Sequence, residues 1–397
     1  MSKKANEELV LGKVEIPPSE EEVTMVETNE VESEIVDKGE VDVSIDEEDQ
    51  AKALYAEFSA FLEQRDGITP DVGTKKVIST GLDLADAILG GGFAIGALVI
   101  IVGQPGSGKT MLAIQTLAQG QRQYKGELLP LFLDSEEATT TVRLANLGVV
   151  HPKIKPYVDI TVEKVFKVLE GLCVYKAEKD IIDIPSVVIW DSIANTLTEK
   201  EREAEDPKNV IGYKARVLSM TIPQYVSKCA KHNICLLAVN QLRDVLDMGQ
   251  FSAPKDLKFM SHSKDMPGGQ ILKYNAFQLV EMKVGKAVEV EKLGFEGIRV
   301  KIKCVKNKLF PPNVEITLVG SFTSGFSNFW TNYEFMRDTK RLVTGAWNYL
   351  ITMPDKKFRT KDAMKLYKED KGFRKAFDAS AKEAIQKEII EKYDIEL

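Results

Sequence analysis

The chain has 397 residues, 44% of them apolar, enough for two or three domains with a substantial core. No stretch reaches the length of a membrane span, and acidic residues follow Lys3 and Lys4 where a signal peptide needs an apolar core. Cys173, Cys229, Cys235 and Cys304 show no CxxC spacing, which points away from a zinc ribbon and predicts reduced packing residues in a soluble, cytoplasmic protein.

Charge is uneven. Residues 1–50 hold 17 Asp/Glu against 4 Lys, a net of −13; the whole chain is −7, which leaves +6 on residues 51–397. A mildly basic body suits an anionic polymer as partner, or simply a solvated surface. Residues 1–50, with Pro17-Pro18 and almost no aromatics, read as a disordered acidic tail. Residues 51–65 form an amphipathic helix with Leu54, Phe58, Phe61 and Leu62 on one face. That face needs a neighbour to pack on, in its own chain or the next subunit, which makes 51–76 a contact segment.

From Val77 strands and helices alternate. Apolar, β-branched runs at 98–102, 128–134, 186–191 and 234–240 predict a parallel sheet buried on both faces. Alternation at 277–283, 298–308 and 314–318 predicts antiparallel pairing there, and 347–397 turns helical and basic.

Gly103-Gln104-Pro105-Gly106-Ser107-Gly108-Lys109-Thr110 is a complete GxxxxGK[ST] loop between the strand at 98–102 and a helical stretch at 111–124. Its glycines let successive N–H groups turn toward phosphate oxygens at a helix N-terminus. Lys109 is expected to reach the β- and γ-phosphates of a nucleoside triphosphate, and the Thr110 hydroxyl to ligate magnesium. Asp191, ending the apolar strand from Ser186, has the form of the second magnesium-holding element, acting through water. Glu136, just past the strand between them, is placed to orient and deprotonate an attacking water, while Glu137 or Asp134 caps the following helix. The amides of Asn240-Gln241 end the next strand, where they sense a γ-phosphate or merely terminate the strand.

Together these residues resemble the RecA family of DNA strand-exchange recombinases, most closely the phage branch typified by UvsX. The resemblance runs from about residue 51 to the C-terminus. It includes Ile78-Ser-Thr-Gly81, Gly90-Gly-Gly92, Leu133-Asp-Ser-Glu136, Leu147-Gly148-Val149 and Asn240-Gln241-Leu-Arg243. Further on it takes in Pro267-Gly268-Gly269 with Lys273-Tyr274, Val305-Lys306-Asn307-Lys308 and Gly345-Ala346-Trp347. It implies an α/β fold: a RecA-like P-loop ATPase core over 77–345 with a mainly parallel central sheet, an N-terminal oligomerisation helix, and a small helical C-terminal domain over 346–397.

The resemblance implies that ATP and magnesium are bound and that Glu136, Lys109 and Gln241 carry catalysis. Lys306 and Lys308, spaced to share one strand face, reach a neighbouring subunit's ATP. Segments 195–212 and 242–269 match the DNA-contacting loops, with Arg216, Arg243, Met248, Phe251, Lys255, Lys258, Gly268 and Gly269 as contacts. The implied activity is DNA-dependent ATP hydrolysis by a helical homo-oligomer on single-stranded DNA that pairs it with homologous duplex. A single-strand-binding protein and a loader are further candidate partners, and no membrane is involved. A ring helicase or a regulatory ATPase on the same core is the alternative. Three features depart from the family. Glu199, Glu201, Glu203, Glu205 and Asp206 make the first loop acidic, and the acidic tail is N-terminal. Where the family commonly places a tyrosine against adenine, this chain has Thr139-Thr-Thr-Val-Arg143; Arg143 is expected to stack on the base, or base preference is looser.

Overall fold

The computed structural model describes residues 45–66, 75–150, 156–244, 264–288, 293 and 295–393. The chain divides into two compact units, Met1–Val72 and Gly73–Leu397. In the first, helix α1 (Ile45–Asp66) starts six residues before the expected position. Leu54, Phe58 and Phe61 along it are 69%, 55% and 51% exposed.

The second unit begins with β1 (Val77–Ile78), α2 (Asp83–Leu89), β2 (Phe93–Ala94), β3 (Ala97–Gly103), α3 (Lys109–Gln123), β4 (Leu129–Asp134) and α4 (Thr141–Asn146). There follow α5 (Val162–Glu178), β5 (Ser186–Asp191), α6 (Glu199–Glu203), α7 (Tyr213–Lys231) and β6 (Ile234–Gln241). A short ribbon of β7 (Arg243–Asp244) and β8 (Lys264–Asp265) leads to α8 (Gln270–Asn275), β9 (Gln278–Val288), β10 (Gly297–Asn307), β11 (Glu315–Ser321) and β12 (Gly325–Phe326). The chain ends with α9 (Asn328–Asp338), β13 (Leu342–Val343), β14 (Asn348–Leu350), β15 (Met353–Phe358), α10 (Ala363–Glu369) and α11 (Lys371–Ile385).

Eight strands form one sheet in the order β12-β11-β10-β9-β3-β6-β5-β4. The five from β9 to β4 are parallel, with the phosphate-loop strand β3 between β6 and β9. Alternate residues point to opposite faces. On β3, Val99 and Ile101 therefore join one core with α2 and α3, while Leu98, Ile100 and Val102 join another with α5 and α7. Burial of both faces is why these strands read as unbroken apolar runs.

Two expectations are corrected. Strand β9, taken as antiparallel, pairs parallel with β3 along its buried first half; only with β10 is it antiparallel. The segment after Trp347 is not wholly helical, because β14 and β15 complete a small antiparallel sheet with β13 before α10 begins. The aromatic cluster there is shared across the expected boundary at 345/346: Phe329, Trp330 and Tyr333 of α9 pack with Phe373 and Phe377 of α11. Among the described residues no helix is long and apolar enough to cross a membrane. All four cysteines are buried and unpaired, and burial pushes the thiols of Cys235 and Cys304 up to about 12, as befits packing groups.

Lys176 is fully buried at the edge of the second core. Its ammonium donates to the carbonyls of Ile184 (2.6 Å) and His232 and to Ser186 Oγ (3.2 Å), tying α5 to the starts of β5 and β6. Burial lowers its pKa from 10.5 to about 8. The folded chain thus holds this proton less tightly than the unfolded chain, and stability contributed by the group rises with pH between about 8 and 10.5. The stability gap between wild type and Lys176→Met, taken from urea midpoints, is expected to be wider at pH 10 than at pH 7.5. An identical gap at both pH values would contradict this.

Candidate nucleotide site and nucleic-acid interface

The loop after β3 is shaped by close approach. A Cβ on Gly103 would lie 2.4 Å from the Met282 carbonyl oxygen; one on Gly108, whose φ is +81°, would lie 2.8 Å from Phe326 Cζ. A Cβ on Gly106 would meet nothing within 4 Å, so the loop opens into free space there. Ser107 Oγ is buried without a hydrogen-bond partner. Lys109 is buried, its ammonium donating across the loop to the Gln104 carbonyl at 2.9 Å. Burial lowers its pKa, and Asp191 and Glu136 oppose that shift. An unpartnered buried hydroxyl, a cation and an open Gly106, all at the start of α3, fit a chain of phosphate oxygens.

Behind the loop, Thr110 Oγ1 donates to Asp191 Oδ2 at 2.5 Å. Asp191 is raised to about 6, chiefly by burial and further by Glu136 and Asp134, against the Thr110 hydrogen bond and Lys109. Hydroxyl and carboxylate are hard oxygen donors, and two of them suit magnesium, which keeps waters and phosphate oxygens in its shell. Glu136 lies just beyond. Its Oε1 accepts from Ser192 Oγ at 2.9 Å, Asn195 Nδ2 at 2.7 Å and Gln241 Nε2 at 3.4 Å. Asp134 is a turn former: its carboxylate accepts from the backbone N–H groups of Glu136 and Thr139. Of the two amides at the end of β6, Gln241 faces the carboxylate. Asn240 is fully buried, its Nδ2 donating to the Pro267 carbonyl at 2.8 Å and its Oδ1 accepting from the Gln241 N–H at 2.9 Å.

The profile described as the RecA N-terminal domain matches residues 61–327. The chain belongs to the RecA family. It is 30% identical over 282 residues to Protein RecA of Thermus aquaticus, covering 70% of this chain and 76% of the relative. It is 31% identical over 281 residues to Protein RecA of Thermus thermophilus, with the same coverage. With Protein RecA of Mycoplasma mobile identity is 28% over 277 residues, 69% of this chain and 77% of the relative. RecA family members are DNA-dependent ATPases of recombination and DNA repair.

The remaining RecA-type candidates fall in three places. Arg143, on α4, does not stand free to meet a base; its guanidinium donates to the Phe322 carbonyl in the β11–β12 turn. Lys306 is half-buried, with its ammonium on the Lys273 (2.9 Å) and Tyr274 (2.7 Å) carbonyls at the end of α8, while Lys308 is exposed over the Phe277 ring. Arg216 is exposed on the first turns of α7, and Arg243 stands in β7. Gly268 and Gly269 take φ of +102° and +82° at the entry to α8, and a Cβ on Gly268 would strike Leu272 at 2.5 Å. Met248, Phe251, Lys255 and Lys258 lie outside the described residues.

Sequence reading missed Ser192 and Asn195 as holders of Glu136. Ile211, beside Gly212 at the end of the first loop, is 83% exposed.

Asn240→Asp keeps an acceptor for the Gln241 N–H but loses the donor to Pro267. Leaving that carbonyl unmet is expected to cost about 1–3 kcal/mol in chemical denaturation. Unchanged stability would show that the amide is not holding the Pro267 turn.

Proposed function

We propose that this chain is an ATP-dependent recombinase that polymerises on single-stranded DNA and pairs it with homologous duplex. The observation that supports this most is the contact between Glu136 and Gln241, which joins the candidate hydrolytic carboxylate to the strand entering the second DNA loop. Backbone N–H groups of the phosphate loop and Lys109 hold the triphosphate; Thr110 and Asp191 hold magnesium, which neutralises β- and γ-phosphate charge when bound. Glu136, kept in place by its three donors, orients and deprotonates the attacking water. ATP biases the loop end of β6 toward its DNA-holding arrangement, and hydrolysis releases it.

Arg216, Arg243, Lys255 and Lys258 track the DNA backbone, with Met248, Phe251 and Ile211 as apolar wedges. Helix α1 clips onto the next subunit through Leu54, Phe58 and Phe61. Lys306 and Lys308 meet the neighbour's triphosphate across that interface. Segment 346–397 forms a C-terminal module whose basic stretch, nine Lys/Arg against three Asp/Glu over 356–375, captures duplex, with the acidic 1–50 segment competing for it. The modest identity to the bacterial relatives accords with a separate, phage UvsX-like branch acting in the host cytoplasm, with a single-strand-binding protein and a loader as its partners. The proposal is tested by ATP turnover with and without single-stranded DNA, together with negative-stain microscopy. DNA-stimulated turnover and helical filaments are expected; closed rings or indifference to DNA would refute it.

Glu136→Gln preserves shape and hydrogen bonding but removes the base. ATP affinity is expected to stay within a few-fold while turnover falls at least about a hundredfold, trapping DNA-bound filaments. A parallel loss of nucleotide binding would mean that Glu136 is structural.

Lys306→Ala combined with Lys308→Ala is expected to spare ATP binding by the isolated protomer and abolish both filament growth and DNA-stimulated turnover. Long ATP-dependent filaments from this variant would rule out their action across an interface.

A further inference from the structure

We infer that Asp159 is a positioning residue for the hydrolytic turn, joining α6 of the first loop to the residue beside Glu136 through its ion pair with Arg202. The inference rests on the function proposed above. It adds a second route between a DNA-contacting loop and the carboxylate, besides the one through Gln241.

Asp159 occupies a joint. The segment before it runs along β4, the Tyr157 N–H donating to the Phe132 carbonyl at 2.8 Å and the Asp134 N–H donating to the Tyr157 carbonyl at 2.9 Å. Two residues on, the Asp159 N–H donates to Glu137 Oε1 at 3.3 Å, which fastens the residue after Glu136. Glu137 and Asp159 both take positive φ, 52° and 55°, which a residue other than glycine keeps only where its surroundings hold it. The Asp159 carboxylate is taken up by two cations. Its Oδ1 pairs with Arg202 of α6 at 2.9 Å and its Oδ2 with Lys164 in the first turn of α5 at 2.8 Å. The Lys164 ammonium also donates to the Asp159 carbonyl at 2.9 Å, and the two cations together hold the carboxyl below its usual range.

Helix α6 is a strut between this joint and α7. Its start is seated on α5, the Leu197 carbonyl accepting from the Val162 N–H at 3.0 Å and Glu163 Oε2 from the Glu199 N–H at 2.8 Å. Toward α7, the Lys200 ammonium lies 4.9 Å from the centroid of the Tyr213 ring, three residues before Arg216. Lys214, in that same turn, donates to the Ala194 carbonyl at 3.1 Å, next to Asn195, whose Nδ2 meets Glu136 Oε1 at 2.7 Å. The turn of α7 that carries Arg216 therefore reaches the Glu136–Glu137 turn twice, through Lys214 and Asn195 and through α6 and Asp159. A polyanion that draws on Arg216 and shifts this turn shifts α6 with it, and the Arg202–Asp159 pair delivers that displacement beside Glu136. The two side chains are 39% and 67% exposed, so the pair contributes little to stability, and neutralising either member tests coupling rather than folding.

ATP turnover by the full chain is measured at low salt, where an exposed ion pair is least screened, with and without saturating single-stranded DNA. Asp159→Asn, which keeps the N–H to Glu137, and Arg202→Gln are each expected to lower the ratio of the two rates about fivefold, with KM for ATP unchanged. The double variant is expected to lose no more than either single one, because both remove the same contact. Wild-type stimulation in Asp159→Asn, losses that multiply in the double variant, or a KM that rises as the ratio falls would each overturn the inference. A loss in Arg202→Gln alone would overturn it too, since Arg202 would then be acting on DNA directly. Wild-type protein whose turnover ignores DNA would instead overturn the function proposed above.

Discussion

One carboxylate oxygen, Glu136 Oε1, receives hydrogen bonds from groups carried by the ends of two other strands, and the site is organised around that convergence. It arises from register. Parallel neighbours place Asp134 beside Asp191 and Asp191 beside Val239, so β4, β5 and β6 all run out at one level. Whatever follows each strand is therefore brought to the same crevice. Glu136 follows β4, Ser192 and Asn195 follow β5, and Gln241 closes β6. Ser135 stitches the first two ends together, its N–H and hydroxyl donating to the Asp191 carbonyl and its Oγ accepting from the Ser192 N–H. The convergence continues away from the phosphate side. Asn240, one residue from Gln241, holds Pro267, and the chain then turns through Gly268 and Gly269 into α8, whose last carbonyls hold Lys306. A contiguous run of hydrogen bonds and short backbone thus leads from the candidate hydrolytic carboxylate to the Lys306 ammonium at the end of α8.

The parts of this arrangement that the sequence made legible are those written in consecutive residues. The phosphate loop is an unbroken motif, the buried strands are unbroken apolar runs, and Asp191 and Glu136 sit directly at or past strand ends. What escaped depends on pairing between distant segments. Ser192 and Asn195 look like ordinary polar loop residues until β5 is set beside β4. Strand β9 misleads because its two halves live in different settings. The half beside β3 is buried on both faces, whereas the half beyond β3 has only β10 as a partner and is mostly exposed. Strands β14 and β15 are short, and Pro354, Asp355, Lys356 and Lys357 give the latter little β propensity. Nothing near Arg143 in sequence competes for its guanidinium, so a ligand is the natural expectation; its acceptor, the Phe322 carbonyl, comes from the opposite edge of the sheet.

The acidic first loop has a structural account that composition alone conceals. Thr198 and Glu201 form a reciprocal capping box at the start of α6, each side chain meeting the other's backbone N–H. Glu199 adds negative charge to the same first turn, where the helix dipole favours it, and pairs with Lys167 at 3.7 Å. Arg202, one turn on, pairs with Asp159 at 2.9 Å. Much of the loop's acidity is therefore spent in building and docking a short helix against the segment that opens α5. Arg216 and Ile211, past the acidic stretch, remain exposed, and among the described residues the Arg216 side chain has no partner. Net charge of the loop is a poor guide to what a polyanion would meet there, because the structural carboxylates around α6 are separated along the chain from the exposed Arg216 on α7.

Lys306 shows how assembly and the DNA loop are connected in the proposed filament. Its ammonium is not bare in the protomer; burial and the nearby Lys308 lower its pKa, and two carbonyls at the C-terminal end of α8 accept its protons. Hydrogen bonds from a charged donor contribute about 1.5–3 kcal/mol, and a cation at a helix C-terminus about 0.3–1 kcal/mol more. In the filament proposed above, a neighbour's triphosphate would offer several formal negative charges in place of these two carbonyl dipoles. On that proposal a lysine drawn to the neighbour would leave the last turn of α8 uncapped, and α8 begins directly after Gly268 and Gly269. A helix of only six residues has few other hydrogen bonds to hold it, so nucleotide binding next door would be coupled to the backbone that enters α8.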